Sequence, residues 1–136
     1  LGGYLYTRMA GRLLKRLGEQ GLARLGGVLL CLGFVSFAYA PLLAWTPLAC
    51  LCAGFGFYCL HNTLQTNATQ MAPSARGAAM SLFACCLFMG QSFGVSVAAW
   101  MAHHLSDQLI FVCAGAGLLV LALVFARRQA GGRPQT

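Results

Sequence analysis

All nine Lys and Arg residues of this 136-residue chain fall in three clusters. The first holds Arg8, Arg12, Lys15, Arg16 and Arg24, the second is Arg76 alone, and the third holds Arg127, Arg128 and Arg133. Residues 25–75 carry no Lys, Arg, Asp or Glu, and residues 77–126 carry only Asp107. One helical crossing of a bilayer's hydrocarbon core takes roughly 20 apolar residues, each rising about 1.5 Å. Each gap therefore accommodates two crossings and a short turn. Two crossings return the chain to the side it left, so the positive charge collects on one face. Basic residues gather on the cytoplasmic side, which predicts both ends of the chain in the cytoplasm.

The composition excludes most soluble classes. Apolar residues make up 59% of the chain and charged residues 8%, against about a quarter charged in ordinary soluble domains. So short a chain cannot hide that much apolar surface in a water-soluble core. The expected fold is an all-α membrane protein. The net charge of +7 is not a nucleic-acid signal. The basic residues flank apolar spans instead of forming a stripe with interleaved aromatics, and they suit an anionic inner leaflet. Seven Cys lie inside apolar stretches, where they act as small packing residues. No His/Cys cluster has metal-ligand spacing, so neither a metal nor a cofactor is expected. The His103–His104 pair reads as surface. No Ser/His/Asp or Cys/His constellation suggests an enzyme.

Residues 1–12 read as the inner end of a helix whose beginning is missing, which makes the chain a C-terminal piece of a longer protein. Residues 13–23 read as a basic loop, with Gly11, Gly18 and Gly21 as break points. Four full crossings follow, at about 24–43, 47–69, 78–101 and 108–126. Pro41, Trp45 and Pro47 mark an outer turn. Pro73 and Gly77 mark an inner turn around Arg76, and Trp100 anchors the outer end of the third crossing. Ser106 or Asp107 is a candidate N-cap for the fourth. Residues 1–126 form the bundle and 127–136 a cytoplasmic tail.

Two patterns stand out within the crossings. On the second, Tyr58, His61, Asn62, Gln65 and Thr69 fall within about a third of the helix circumference at 100° per residue. Polar side chains at membrane depth face a bundle interior or a wet cavity. Tyr58, His61 and Asn62 read as the wall of a solute pathway. Gln65 joins them, while Thr66 to Gln70 read as a helix end emerging into the headgroups. Burial favours neutral imidazole, so His61 is a hydrogen-bonding solute contact before a proton carrier. On the third crossing, Cys86, Gly90, Gly94 and Ala98 recur every four residues. Gly90 and Gly94 thus allow close helix packing, either static or sliding. Gln91 is open between a pathway contact and an interhelical hydrogen bond. No predicted crossing contains Asp or Glu, so the carboxylate that proton exchange usually needs would lie elsewhere in the protein.

The stretch Gly11-Arg-Leu-Leu-Lys15-Arg16-Leu-Gly18-Glu19-Gln20-Gly21 resembles the inner-loop signature of the major facilitator superfamily. Gly11, Arg16 and Gly18 match it. Lys15 stands where the signature has its acid, and Glu19 and Gln20 replace its closing basic residues. A second marker, Ala72-Pro73-Ser-Ala-Arg76-Gly77-Ala-Ala-Met-Ser81 followed by Gly90 and Gly94, looks like the junction of the tenth and eleventh helices in bacterial drug and sugar efflux permeases. On this alignment the chain covers the end of helix eight through helix twelve. The resemblance implies a twelve-helix transporter of two halves, with a small solute bound between them and access alternating by rocking. It also implies a bacterial inner-membrane location, efflux driven by proton exchange, and partnership with the missing N-terminal half. The basic loop, with Gly11, Arg12, Lys15, Arg16 and Gly18, would contribute to a cytoplasmic gate. Two other readings fit the span count: a self-contained four-helix exporter of the small multidrug type, and a non-transporting membrane scaffold subunit. The first works through a membrane-embedded Glu, which the predicted crossings lack. The second predicts no polar cavity face.

Overall fold

The computed structural model describes residues 2–39 and 43–131. They form α1 (Gly2–Tyr39, two helical segments that meet at Gly18), α2 (Thr46–Met71), α3 (Arg76–His104) and α4 (Asp107–Gly131). Short 3₁₀ turns at Leu43–Trp45 and Pro73–Ala75 lead into α2 and α3. Pro47 occupies the first turn of α2, where its missing N–H costs nothing. Asp107 opens α4, with its carboxylate at the positive end of the helix dipole. Three helical stretches are long and apolar enough to cross a membrane: Gly2–Tyr39, Pro73–His104 and Asp107–Gln129. At about 1.5 Å per residue α2 is also long enough. Its polar face is what keeps it out of that group, so the expected four full spans stand as three plus a long, mixed helix.

The basic loop expected over 13–23 is absent. Helix runs through it, and only Gly18 leaves helical geometry, at φ 64° and ψ 179°. Leu, Lys, Arg, Glu and Gln are strong helix formers and charge alone does not unwind them. Gly11 and Gly21, expected to be break points, are tolerated inside the helix at a cost of about 1 kcal/mol each. The backbone region that Gly18 adopts is essentially closed to side-chain-bearing residues, so the whole reversal rests on this one glycine.

The contacts show that Gly18 does reverse the chain. Before it, positions advance in step with α2: Gly2 lies on Gly54 and Phe55, Tyr6 stacks on Tyr58, and Ala10 and Leu14 border a cavity with Asn62 and Thr66. After it the order inverts: Glu19 meets Asn67, Gly26 meets Gly56 and Leu60, and Gly33 meets Ala53. The 2–17 segment thus runs parallel to α2, and the 19–39 segment antiparallel to it.

The 19–39 segment is the centre of the bundle, packed against α2 on one side and α4 on the other. Ala23, Leu30, Leu60 and Ala122 form the buried core, with Phe34, Leu64, Leu118 and Phe125 around it. Gly26 and Gly56 let the α1 and α2 backbones touch. A Cβ on Gly26 would lie 2.8 Å from the Gly56 carbonyl oxygen, and one on Gly56 would lie 2.8 Å from the Gly26 carbonyl oxygen. Gly27 similarly admits Ala122 of α4. Such close approach is the main source of packing energy between helices in lipid, where apolar burial offers no gain. α3 stands apart, with no buried residue. It meets α2 around His61, Gln65, Met80 and Phe83.

The outer turn is described only in part, because Pro41 lies outside the described residues, while Trp45 is exposed. The bundle boundary at 126 and the tail shift as well. α4 continues through Arg127 and Arg128 to Gly131, and residues 132–136, Arg133 included, lie outside the described residues.

Candidate functional site

Tyr58, His61, Asn62 and Gln65 do share one face of α2, and each finds a different neighbour. Tyr58 stacks on Tyr6 of α1, with centroids 6.2 Å apart and planes at 24°. His61 lies flat against Phe57 one turn earlier, at 5.1 Å and 13°, and reaches Phe83 of α3 at 5.6 Å. With Phe55 against Tyr6 and Phe57 against Tyr58, six rings (Phe55, Tyr6, Tyr58, Phe57, His61, Phe83) form an unbroken run. Neighbouring centroids are 5.1–6.2 Å apart, within the range of attractive aromatic pairs. The run passes from α1 across α2 to α3.

Polar groups punctuate this run. The Asn62 amide donates to the Tyr58 carbonyl at 2.9 Å. Its position also borders a cavity of about 160 Å³ with Tyr6, Thr63, Thr66 and Glu19. Gln65 Nε2 lies 3.7 Å from the Met80 sulfur of α3, a weak acceptor that a better partner could displace. Thr63, 4% exposed, returns its hydroxyl to the Cys59 carbonyl at 2.7 Å, so it is satisfied within its own helix.

The remaining site expectations fare differently. Gln91 is exposed on α3, about 12 Å along the helix from Phe83, and it is not gathered with the α2 residues. Gly90 and Gly94 have open space where a Cβ would stand, so they pack against nothing among the described residues. The tight glycine contacts between helices are instead those of Gly26, Gly27, Gly33 and Gly56, with Gly2 and Gly3 also close against α2. Arg12, Lys15 and Arg16 are exposed on the 2–17 segment, while Gly11 borders the small cavity.

Glu19 is a residue that the sequence does not single out. Spacing marks it only as a departure from the basic residues of the resembled signature. In the fold it stands just after the Gly18 break, half-buried, and accepts a 2.9 Å hydrogen bond from Asn67 Nδ2 of α2. It is a direct side-chain hydrogen bond between α1 and α2.

The sequence pattern of the Major Facilitator Superfamily matches residues 9–135. The chain belongs to that superfamily. Its members are transporters that carry small solutes across membranes, and this chain is accordingly a multi-pass membrane protein. Membership separates it from the four-helix small multidrug exporters. No curated protein and no solved structure matches the chain.

Proposed function

We propose that this superfamily chain forms the C-terminal part of a twelve-helix transporter, with α2 lining the solute pathway. The observation that carries the reading is the α2 face of Tyr58, His61, Asn62 and Gln65, polar side chains gathered on one side of a helix whose first half, residues 47–57, is apolar. Lipid offers such side chains no partners, whereas a solute cavity does. The aromatic run supplies flat apolar contact, and the amide and imidazole groups supply directional hydrogen bonds, a combination suited to a small solute. In this reading α2 also crosses the membrane, as the second of four crossings, and the N-terminal half of the same protein faces α2 and the open side of α3. Gln91, Gly90 and Gly94 lie on that open helix. The exposed apolar residues of the outward surfaces meet lipid.

The location is a bacterial inner membrane with the C-terminus inside, as the clusters around Arg16, Arg76 and Arg128 support. Transport is efflux of a drug-like or sugar-like solute in exchange for protons, and no cofactor takes part. Gly11, Arg12, Lys15, Arg16 and Gly18 belong to the cytoplasmic gate, with Gly18 as its pivot.

The test uses the complete transporter in sealed vesicles loaded with radiolabelled hexoses or fluorescent amphipathic amines. An imposed pH gradient is expected to drive at least one class against its own gradient, and collapsing the pH difference to stop it. Flux indistinguishable from empty vesicles for both classes would count against the reading.

A further inference from the structure

The geometry points to Arg8 and Tyr4 as an anion-binding subsite beside α2 that takes the carboxylate of a small aromatic solute. The inference rests on the proposal that α2 lines a solute route. Charge clustering groups Arg8 with the basic residues that follow it at the cytoplasmic face, but the fold places it deeper. Tyr6 stacks on Tyr58, and Ala10 borders a cavity with Asn62, so Arg8 is level with about residue 60 of α2. That is about 16 Å from the inner end of α2 at Met71 and about 21 Å from its start at Thr46. Arg8 is exposed. It stands about 200° round the helix from Tyr6, on the side away from α2.

Direction separates this arginine from one that reaches for the headgroups. Cα–Cβ bonds tilt toward the N-terminus of their helix. The 2–17 segment runs inward, so Arg8 leans away from the cytoplasm. Its Nη2 donates to the Tyr4 hydroxyl, one turn farther out, at 3.0 Å. Its guanidinium carbon lies 5.5 Å from the centre of the Tyr4 ring, within cation–π range. Arg24 lies at nearly the same level, by the contacts of Glu19 and Gly26 with α2. Its segment runs outward, so the same tilt carries its side chain toward the inner headgroups. A charged side chain held at depth faces a bundle interior or a wet cavity, because lipid does not solvate it. The groups left unpaired select the ligand. A guanidinium has five N–H donors, and among the described residues Arg8 has the Tyr4 hydroxyl as its side-chain partner. The chain's two acids are elsewhere: Glu19 accepts from Asn67, nearer the inner end, and Asp107 opens α4. The Tyr4 oxygen accepts from Arg8, so its own O–H remains to donate. A carboxylate answers both groups, since arginine binds it through two parallel N–H donors. Beside them opens a cavity of about 460 Å³ bordered by Tyr4, Thr7, Gly54 and Tyr58. The two tyrosine rings there offer flat faces for an aromatic ring.

The test compares naphthoate with naphthamide, a neutral molecule of the same size. The complete transporter is treated in detergent with phenylglyoxal, which modifies arginine, and modification of Arg8 is read by peptide mass spectrometry. Naphthoate should slow it at least about fivefold and naphthamide less than about twofold, because only the acid pairs with the guanidinium. In sealed vesicles Arg8→Gln should lower kcat/KM for naphthoate at least about tenfold and leave naphthamide within about threefold. Arg8→Lys keeps the charge without the planar fork and should fall between. Equal protection by acid and amide, or an equal loss of flux for both in Arg8→Gln, would make Arg8 a structural residue and overturn the subsite. Protection by added phosphatidylglycerol and not by naphthoate would give the site to a lipid and overturn the solute. Naphthoate flux that Arg8→Gln leaves unchanged would overturn the subsite and leave the pathway standing. Protection by naphthoate without flux would support the subsite and count against the pathway along α2. Should Arg8→Gln not fold, protection in the native protein decides alone.

Discussion

Replacing Gly56 by leucine is expected to prevent the bundle from assembling. A Cβ at this position would lie 2.8 Å from the Gly26 carbonyl oxygen, 2.9 Å from Leu29 Cβ and 2.9 Å from the Leu30 backbone nitrogen. Two of these atoms are backbone, so no rotamer change relieves the clash, and α1 and α2 must move apart. Overpacking by small increments costs about 1–3 kcal/mol, and leucine adds four carbons at the point of closest approach. Separation also forfeits the contacts around Cys59 and Leu60, 0% and 3% exposed. The purified protein should aggregate on size exclusion, or melt at least about 10 °C lower. Gly117→Leu is the control. The same side chain there, in α4, meets nothing within 4 Å and should leave the melting temperature nearly unchanged.

The second large effect is expected on transport, with folding preserved. His61→Leu keeps the volume of the imidazole and removes its hydrogen-bonding atoms. A hydrogen bond to a bound solute, lost so that its partner stays unsatisfied, costs about 1–3 kcal/mol, which lowers kcat/KM by roughly 10- to 100-fold. His61→Gln keeps a polar group and loses the ring between Phe57 and Phe83. Aromatic pairs are worth about 0.5–1.5 kcal/mol, so flux should fall by up to about tenfold and the order of preferred solutes should change. Unchanged rate and solute order in His61→Gln would remove His61 from the site. Because His61 is only half-buried and its ring stacks at a helix surface, neither change should lower the melting temperature much.

Charge and hydropathy carried the outline of this fold. Long uncharged stretches must become helices in lipid, because no other single-chain element satisfies its own backbone there. The Pro73 and Pro47 positions fixed where α3 and α2 begin. The α2 face was legible because helical periodicity alone brings Tyr58, His61, Asn62 and Gln65 together. What failed was whatever depends on a partner far along the chain. Charge density does not distinguish a solvated helix from a turn, so the charged stretch 13–23 reads as a loop, whereas the reversal is concentrated in Gly18. Glu19 acquires its meaning from Asn67, forty-eight residues later, and nothing in local spacing announces the pair. The close glycine packing was placed on Gly90 and Gly94 because they form a GxxxG. Glycines that do meet a facing backbone include Gly26, Gly33 and Gly56, and whether a small residue serves an interface depends on what lies opposite.

The central claim is that one face of α2 is wet and touches the solute, and cysteine scanning of that helix in the complete transporter tests it most directly. Single cysteines at 58, 61, 62 and 65 are predicted to react with a water-soluble thiol reagent and to be protected by transported solute. Cysteines introduced at 53, 60 and 64, which face α1 or the core, should stay inert. Equal reactivity around the helix, or protection absent at all four positions, would contradict the account.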